Sequence, residues 1–170
     1  MKKTIKFILL STFICVAQFT QAQFSVSLGG GMMKWEDIDA QLGPQLGINY
    51  QIENIRIGAN LGYYTKSEDF FGTKLSIISF PIALSGEYAF SDNAFSPYIG
   101  ADFGIFRFGF GGDGEREFGD AALNLAPKAG FNFSFSDDWA INAHGKYHVI
   151  MSDGESSNAI SFNLGIVKSF

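Results

Sequence analysis

The sequence predicts an all-β chain: an eight-stranded antiparallel up-and-down transmembrane β-barrel preceded by a cleavable signal peptide. Three observations predict it. Polar and apolar residues alternate with period two through eight segments. Short and long polar connections alternate between those segments. The longest apolar run lies at the N-terminus and is too short for a membrane-spanning helix.

The N-terminus reads Met1-Lys2-Lys3-Thr4-Ile5-Lys6, the basic start of a secretory signal. An apolar stretch follows from Phe7 to Ala17, about half of the roughly 20 residues a membrane helix needs. Thr20-Gln21-Ala22 then offers small residues at the positions a signal peptidase inspects, so cleavage is placed after Ala22. The organisation is residues 1–22 as signal peptide and 23–170 as one barrel domain. Cys15 is the single cysteine and leaves with the signal, so the mature chain has no disulfide and no thiol nucleophile. Three of the 12 basic residues leave too, giving nine against 17 acidic and a net charge of −8. That balance argues against nucleic-acid binding.

The strands follow in order. The first, Phe24 to Met32, has Phe24, Val26, Leu28 and Met32 on one face and Ser25, Ser27 and Gly29 on the other. The second aligns Leu42, Leu46, Ile48 and Tyr50. The third turns Ile55, Ile57, Ala59, Leu61 and Tyr63 outward and Arg56, Gly58 and Asn60 inward. The fourth turns Ile78, Phe80, Ile82, Leu84, Tyr88 and Phe90 outward against Ser79, Ala83, Ser85 and Glu87. The fifth sets Ile99, Ala101, Phe103 and Ile105 against Gly100, Asp102 and Gly104. The sixth is the most regular: Leu123, Leu125, Ala129, Phe131, Phe133 and Phe135 alternate with Asn124, Ala126, Lys128, Gly130, Asn132 and Ser134. The seventh sets Trp139, Ile141, Ala143, Tyr147 and Val149 against Asn142, His144, Lys146 and His148. The eighth carries Ile160, Phe162, Leu164, Ile166 and Phe170 outward. Turns at 51–54, 91–96 and 136–138 are short. Those at 35–40, 65–73, 107–122 and 151–158 are expected to be long outer loops. Pro44, Pro81 and Pro127 fall inside strands, where each deletes a ladder hydrogen bond, and local bulges or bends are expected there.

Alternation alone does not say which face meets water. The polar face is built from Gly, Ser, Asn and Ala, which fit the crowded interior of an eight-stranded barrel, whereas the bulky Phe, Leu and Ile do not. Aromatic residues gather at the short-turn end. Phe24, Tyr50, Phe90, Phe135 and Trp139, with Tyr88, Phe133 and Phe170, make a girdle at the periplasmic interface. The chain stops on Phe170, after Phe162-x-Leu164-x-Ile166-x-Lys168, where only Lys168 departs from the apolar pattern. A lysine at that depth can snorkel to the headgroups.

Gly43-Pro44-Gln45-Leu46-Gly47, Ser79-Phe80-Pro81-Ile82, Pro97-Tyr98-Ile99-Gly100-Ala101 and the final strand carry a resemblance. The chain resembles the small OmpA/OmpX-like outer-membrane β-barrels, the "outer membrane protein β-barrel domain" proteins, over its whole mature length. The resemblance implies a bacterial outer-membrane location and Phe170 as the signal for outer-membrane assembly machinery. The expected partners are that machinery, outer-membrane lipids and lipopolysaccharide, with no nucleic acid; the expected state is a monomer, with no cofactor and no metal.

The inward face carries Arg56, Glu87, Asp102, Lys128 and Lys146, with His144 and His148. Charges inside a narrow lumen must be paired or hydrated. The expectation is a salt-bridged plug; the alternative is a narrow, porin-like channel for ions or small apolar molecules. His148, Ser152, Ser156 or Ser157 and Glu155 invite comparison with barrel-type lipid A deacylases, but the tight His-x-Ser-Asn spacing of those enzymes is absent. The Gly-rich acidic loop around Asp113 does not fit an EF-hand ligand pattern. The outer loops hold 11 acidic residues, opposed within them by Lys66, Arg107 and Arg116, and such a surface could meet lipopolysaccharide through bridging divalent cations. Phe106-Arg107-Phe108-Gly109-Phe110 reads as an exposed aromatic run that extends the strands above the membrane. The function expected is non-enzymatic: a structural or surface-interaction role in the envelope.

Overall fold

The computed structural model describes residues 23–36, 39–70, 73–112, 115–152 and 154–170. The expected signal peptide lies outside them. Nine strand segments follow one another: β1 (Gln23–Trp35), β2 (Gln41–Ile52), β3 (Ile55–Gly62), β4 (Tyr64–Phe70), β5 (Thr73–Ala89), β6 (Phe95–Gly112), β7 (Glu115–Ser134), β8 (Trp139–Ser152) and β9 (Glu155–Ser169). All pair antiparallel, and β1 bonds to both β2 and β9, so the sheet closes on itself.

β3 and β4 are one stave of the barrel. Leu61 lies opposite Ile82 of β5, and Tyr64 lies opposite Ser79 with no slip of register between them. The break at Tyr63 has a cause in its neighbours. Tyr63 donates its N–H to the Pro44 carbonyl at 3.0 Å, but Pro44 has no N–H to return. On the other side Gly62 sits against Pro81, whose Cγ would lie 3.0 Å from a Cβ at that glycine. Two prolines therefore flank the same point and remove two ladder donors. The staves number eight, as the alternation predicts.

The bulges expected at the prolines are not there. The β6–β7 register runs through Ala101 opposite Pro127, and the β7–β8 ladder resumes in the same register on either side of it. Prolines open gaps in hydrogen bonding without shifting the strands. The register shift in the β6–β7 ladder lies higher, between Arg107 and Gly109. The extra residue falls on β7. The Gly119 carbonyl there accepts hydrogen bonds from Arg107 Nε at 3.3 Å and Nη2 at 3.1 Å.

The outer connections also differ from expectation. The segments read as long loops are largely strand. β4 and β5 pair to Phe70–Thr73, and β6 and β7 pair to Gly112–Glu115. β8 and β9 pair to Ser152–Glu155. Above the membrane both faces of a strand meet water, so polar residues such as Glu117 and Asp120 occupy strand positions that alternation does not reveal. The β7–β8 pairing starts only at Leu123–Met151, which leaves 115–122 as a free upper edge of β7.

The outside of the wall is apolar: Leu28, Leu84, Phe103 and Leu164 are all more than half exposed. The inside is small and polar where β1 meets β9. A Cβ at Gly29 would collide with the Leu164 carbonyl and lie 2.7 Å from Gly165 Cα. Gly29→Val should therefore destabilise the closing seam by about 1–3 kcal/mol, the usual cost of overpacking. Denaturant titration in detergent, followed by heat-modifiable gel mobility, should show a lowered midpoint for this variant.

Candidate functional site

The lumen holds the side chains of greatest chemical interest. Arg56 and Glu87 are cross-strand partners on β3 and β5, and Arg56 Nη1 meets Glu87 Oε2 at 3.2 Å. Lys128 on β7 meets Glu87 Oε1 at 2.7 Å and Asp102 Oδ1 at 2.8 Å. Lys146 on β8 meets Asp102 Oδ2 at 2.7 Å. The five residues predicted from parity thus form one chain of alternating charge across five staves. Each side chain is at least nine-tenths buried.

A glycine makes the chain possible. Gly100 on β6 lies opposite Glu87 on one side and Lys128 on the other. Its Cβ would sit 3.0 Å from Glu87 Cα and Cγ. Without that side chain, Glu87 and Lys128 reach each other across the intervening strand. Asp102, two residues on, then takes the second contact to Lys128. Ser85 accepts from Lys128 Nζ, and Asn60 Nδ2 points to both Asp102 oxygens at 3.4 Å.

Neutral hydrogen-bonding groups continue the filling in both directions. Below, the Arg56 guanidinium lies 4.6 Å from the centre of the Tyr98 ring, a cation–π contact. Asn142 donates to Tyr98 Oη at 2.9 Å and to Asn132 Oδ1 at 2.6 Å, and its own oxygen lies 2.7 Å from His144 Nδ1. Above, Tyr64 donates to Asn163 Oδ1 at 2.6 Å, and His148 bridges Ser161 at 2.9 Å and Asn124 at 3.3 Å.

The outer end of the lumen is closed by an apolar cap that the sequence reading did not find. Met33, Trp35, Tyr64, Phe106 and Ile150 are buried together, with Phe108 packed against them. Trp35 meets Phe108 at 4.5 Å between ring centres and Phe106 edge-on at 5.4 Å. Phe106 and Phe108 were expected to be exposed, and Trp35 was expected in a loop. Inward parity instead runs on past the assumed strand ends: Phe106 continues Asp102 and Gly104, and Trp35 continues Gly31 and Met33. Only Phe110 of that aromatic run is largely exposed. Ile78, expected outward, is 1 % exposed where Thr65 and Gly109 flank it.

The rim residues compared with a lipid A deacylase are not brought together. His148 is buried against Ser161, whereas Ser152, Ser156, Ser157 and Glu155 are exposed. Among the described residues, no three His, Cys, Asp or Glu side chains group as a metal site. At the outer rim Asp39 pairs with Lys66, whose hydrogen bond and charge, together with Lys34, hold its carboxyl below the usual range.

The outer surface of the lower barrel carries the aromatic residues predicted there. Phe24, Phe90, Phe135, Trp139 and Phe170 are exposed and Tyr50 is half-buried. Phe24 and Phe170 stack at 6.1 Å, and the Phe170 N–H reaches the Phe24 carbonyl at 2.9 Å. Lys168 lies 5.1 Å from the Trp139 ring and bonds Asp138 at 2.6 Å, which accounts for its place in the terminal pattern. Phe95 and Phe131, 5.4 Å apart, add a pair that the girdle predicted from sequence lacked; Phe95 had been placed in a turn.

A closed antiparallel barrel, apolar outside, belted with aromatics and polar within, defines an integral outer-membrane β-barrel protein. The family model described as outer membrane protein beta-barrel domain matches residues 7–170, and the chain belongs to that family. No curated protein matches it. Among solved structures it is similar to Neisserial surface protein A, NspA, at 16 % identity and a TM-score of 0.70, over 88 % of this chain and 97 % of that one. Ail of Yersinia pestis, in complex with the heparin analogue sucrose octasulfate, aligns at 17 % identity and a TM-score of 0.64, over 89 % and 100 %. OprG of Pseudomonas aeruginosa aligns at 14 % identity and a TM-score of 0.60, over 88 % and 96 %. At these identities the likeness is one of fold.

The charge chain makes a ranked prediction. Lys128→Met removes the cation that bridges Glu87 and Asp102, leaving each with one partner, Arg56 and Lys146, and should cost about 2–3 kcal/mol for the lost charged hydrogen bonds. Lys146→Met leaves Asp102 with Lys128 and should cost clearly less. Urea unfolding of both variants in the same lipid or micelle checks the order.

Proposed function

We propose that this barrel is a non-conducting, non-enzymatic outer-membrane protein whose work is done at its outer surface. One observation carries the reading: the alternating-charge chain and the aromatic cap together occupy the lumen, at mid-height and at its outer end. An ion crossing it would have to break at least one buried ion pair and displace packed rings, each costly in a desolvated interior. The upper parts of β4 to β7 form a sheet that stands above the remaining staves and carries the exposed Glu117 and Asp120. That surface favours cationic or neutral partners, or lipopolysaccharide phosphates reached through divalent cations. Ail was solved with a polysulfated ligand; the acidic outer segments here disfavour a polyanion of that kind. Phe170 would serve the assembly machinery, and the closed sheet, with no unpaired membrane-level edge, suits a monomer.

Single-channel recording in planar bilayers is the test. The wild-type barrel should give no steady conductance. A double variant, Asp102→Ala with Lys128→Ala, should give measurable openings, because it removes the central partners of the chain. A large steady conductance from the wild-type protein would overturn the reading.

A further inference from the structure

We propose that the periplasmic half of the lumen binds one small monovalent anion, of halide size, at Arg56. The first ground is charge balance. The described inward-facing charges of the barrel interior are Arg56, Lys128 and Lys146 against Glu87 and Asp102, an excess of one positive charge among side chains that are each at least nine-tenths buried. An uncompensated buried charge is costly unless a counter-charge accompanies it.

The second ground is where the open donors lie. The chain begins at Arg56 and ends at Lys146. At the Arg56 end the side chain is more than nine-tenths buried, and Nη1 bonds Glu87. Nε and Nη2 have no acceptor among the described residues. The Arg56 Cζ lies over the ring of Tyr98 at 4.6 Å, a contact that helps to hold the guanidinium in place. A planar fork held in this way, with two donors to spare, is suited to an anion rather than to a cation.

The surroundings permit it. Glu87 is the carboxylate nearest Arg56, and its other oxygen is taken by Lys128, so the three groups together remain positive. The inward positions around Arg56 are neutral: Gln51 lies opposite it, Asn49 lies opposite Gly58, and Ser96 faces Asn132 on β6 and β7. At the periplasmic rim Asp138 is paired with Lys168. Asn49 lies over Gly58, the inward neighbour of Arg56 on the same strand; its Oδ1 would collide with a Cβ placed there. That oxygen is itself without a donor. Arg56 is the second residue of β3, so the two unpaired donors lie in the buried periplasmic end of the lumen, on the far side of the ion-pair chain from the aromatic cap.

Two variants discriminate. Asn49→Asp places a fixed carboxylate beside Arg56 and should make the external anion redundant. Arg56→Gln removes the donors. Wild-type protein, folded in detergent, is titrated with sodium chloride against sodium gluconate at matched ionic strength, with thermal unfolding as the readout. Crystals grown with sodium bromide supply the location through anomalous scattering. The expected result is a saturable upward shift of the unfolding temperature in chloride but not in gluconate, with one bromide at Arg56 Nε and Nη2. Asn49→Asp should remove the chloride response while keeping an unfolding temperature at or above that of the wild type. If Arg56→Gln fails to fold, Asn49→Asp alone decides. Water rather than bromide at Arg56, an equal response to the two salts, or an adventitious ion only, bound in the crystal with no chloride-specific shift in solution, would each overturn the proposal.

Discussion

Everything in this molecule depends on the rule that a backbone in lipid must satisfy its own hydrogen bonds. Hydrocarbon offers no partner to an unpaired N–H or C=O, so a sheet can cross a membrane only if it has no edge. The seam between β1 and β9 meets that rule, pairing from Ser25 opposite Ser169 to Trp35 opposite Ala159. It does so at close quarters: Gly29 and Gly165 lie opposite each other, and a side chain on either would strike the facing backbone. The last backbone bond, from Phe170 to Phe24, ties the terminal residue into the belt of the opposite chain end.

Closure then dictates the interior. Eight staves leave room for side chains but not for a wide pore. Large residues inside must therefore be matched by missing ones, and Gly100 shows how. Its absent side chain is the gap through which Glu87 and Lys128 meet. Buried ion pairs contribute little net stability, because desolvation offsets the attraction. What the charge chain supplies is a defined arrangement: each member has one register in which it finds its partner. A slip of one residue would turn Arg56, Lys128 and Lys146 into lipid.

That same dependence explains what could be read in the sequence. Parity has period two and no drift, so the inward placement of Arg56, Glu87, Asp102, Lys128 and Lys146 followed from counting along each strand. Their mutual contacts followed less directly, since depth depends on register. The upper third was misread for a physical reason. Alternation marks a boundary between lipid and lumen, and it fades where both faces meet water, so the strands through Glu117 and Asp120 resembled loops. The cap was missed at the same boundary. Trp35 and Phe106 keep inward parity but are apolar, and an apolar residue beyond the membrane-level strand carries no sign of which way it faces. The prolines misled in the other direction. Removing one donor breaks a bond, but closed ladders on both sides hold the register.

The two ends of the lumen are closed by different chemistry, and the difference follows from the sheet above them. On the outer side β4 to β7 rise past their neighbours, while β8 is paired to β7 only below Ala122. The rising sheet brings Phe106 and Phe108 of β6 within reach of Trp35 on the far wall, and rings seal that end. At the other end the hairpins are short, no stave overhangs, and Ser96 and Asn132 share the inward face with the buried Ala89, Tyr98, Ala140 and Val167. Packed rings fill the outer end, and small or hydrogen-bonding side chains fill the inner one. The ion-pair chain lies between them, with its Arg56 end toward the periplasm. The asymmetry of strand length thus becomes an asymmetry of filling, apolar beneath the raised outer sheet and mixed with hydrogen-bonding groups at the short hairpins.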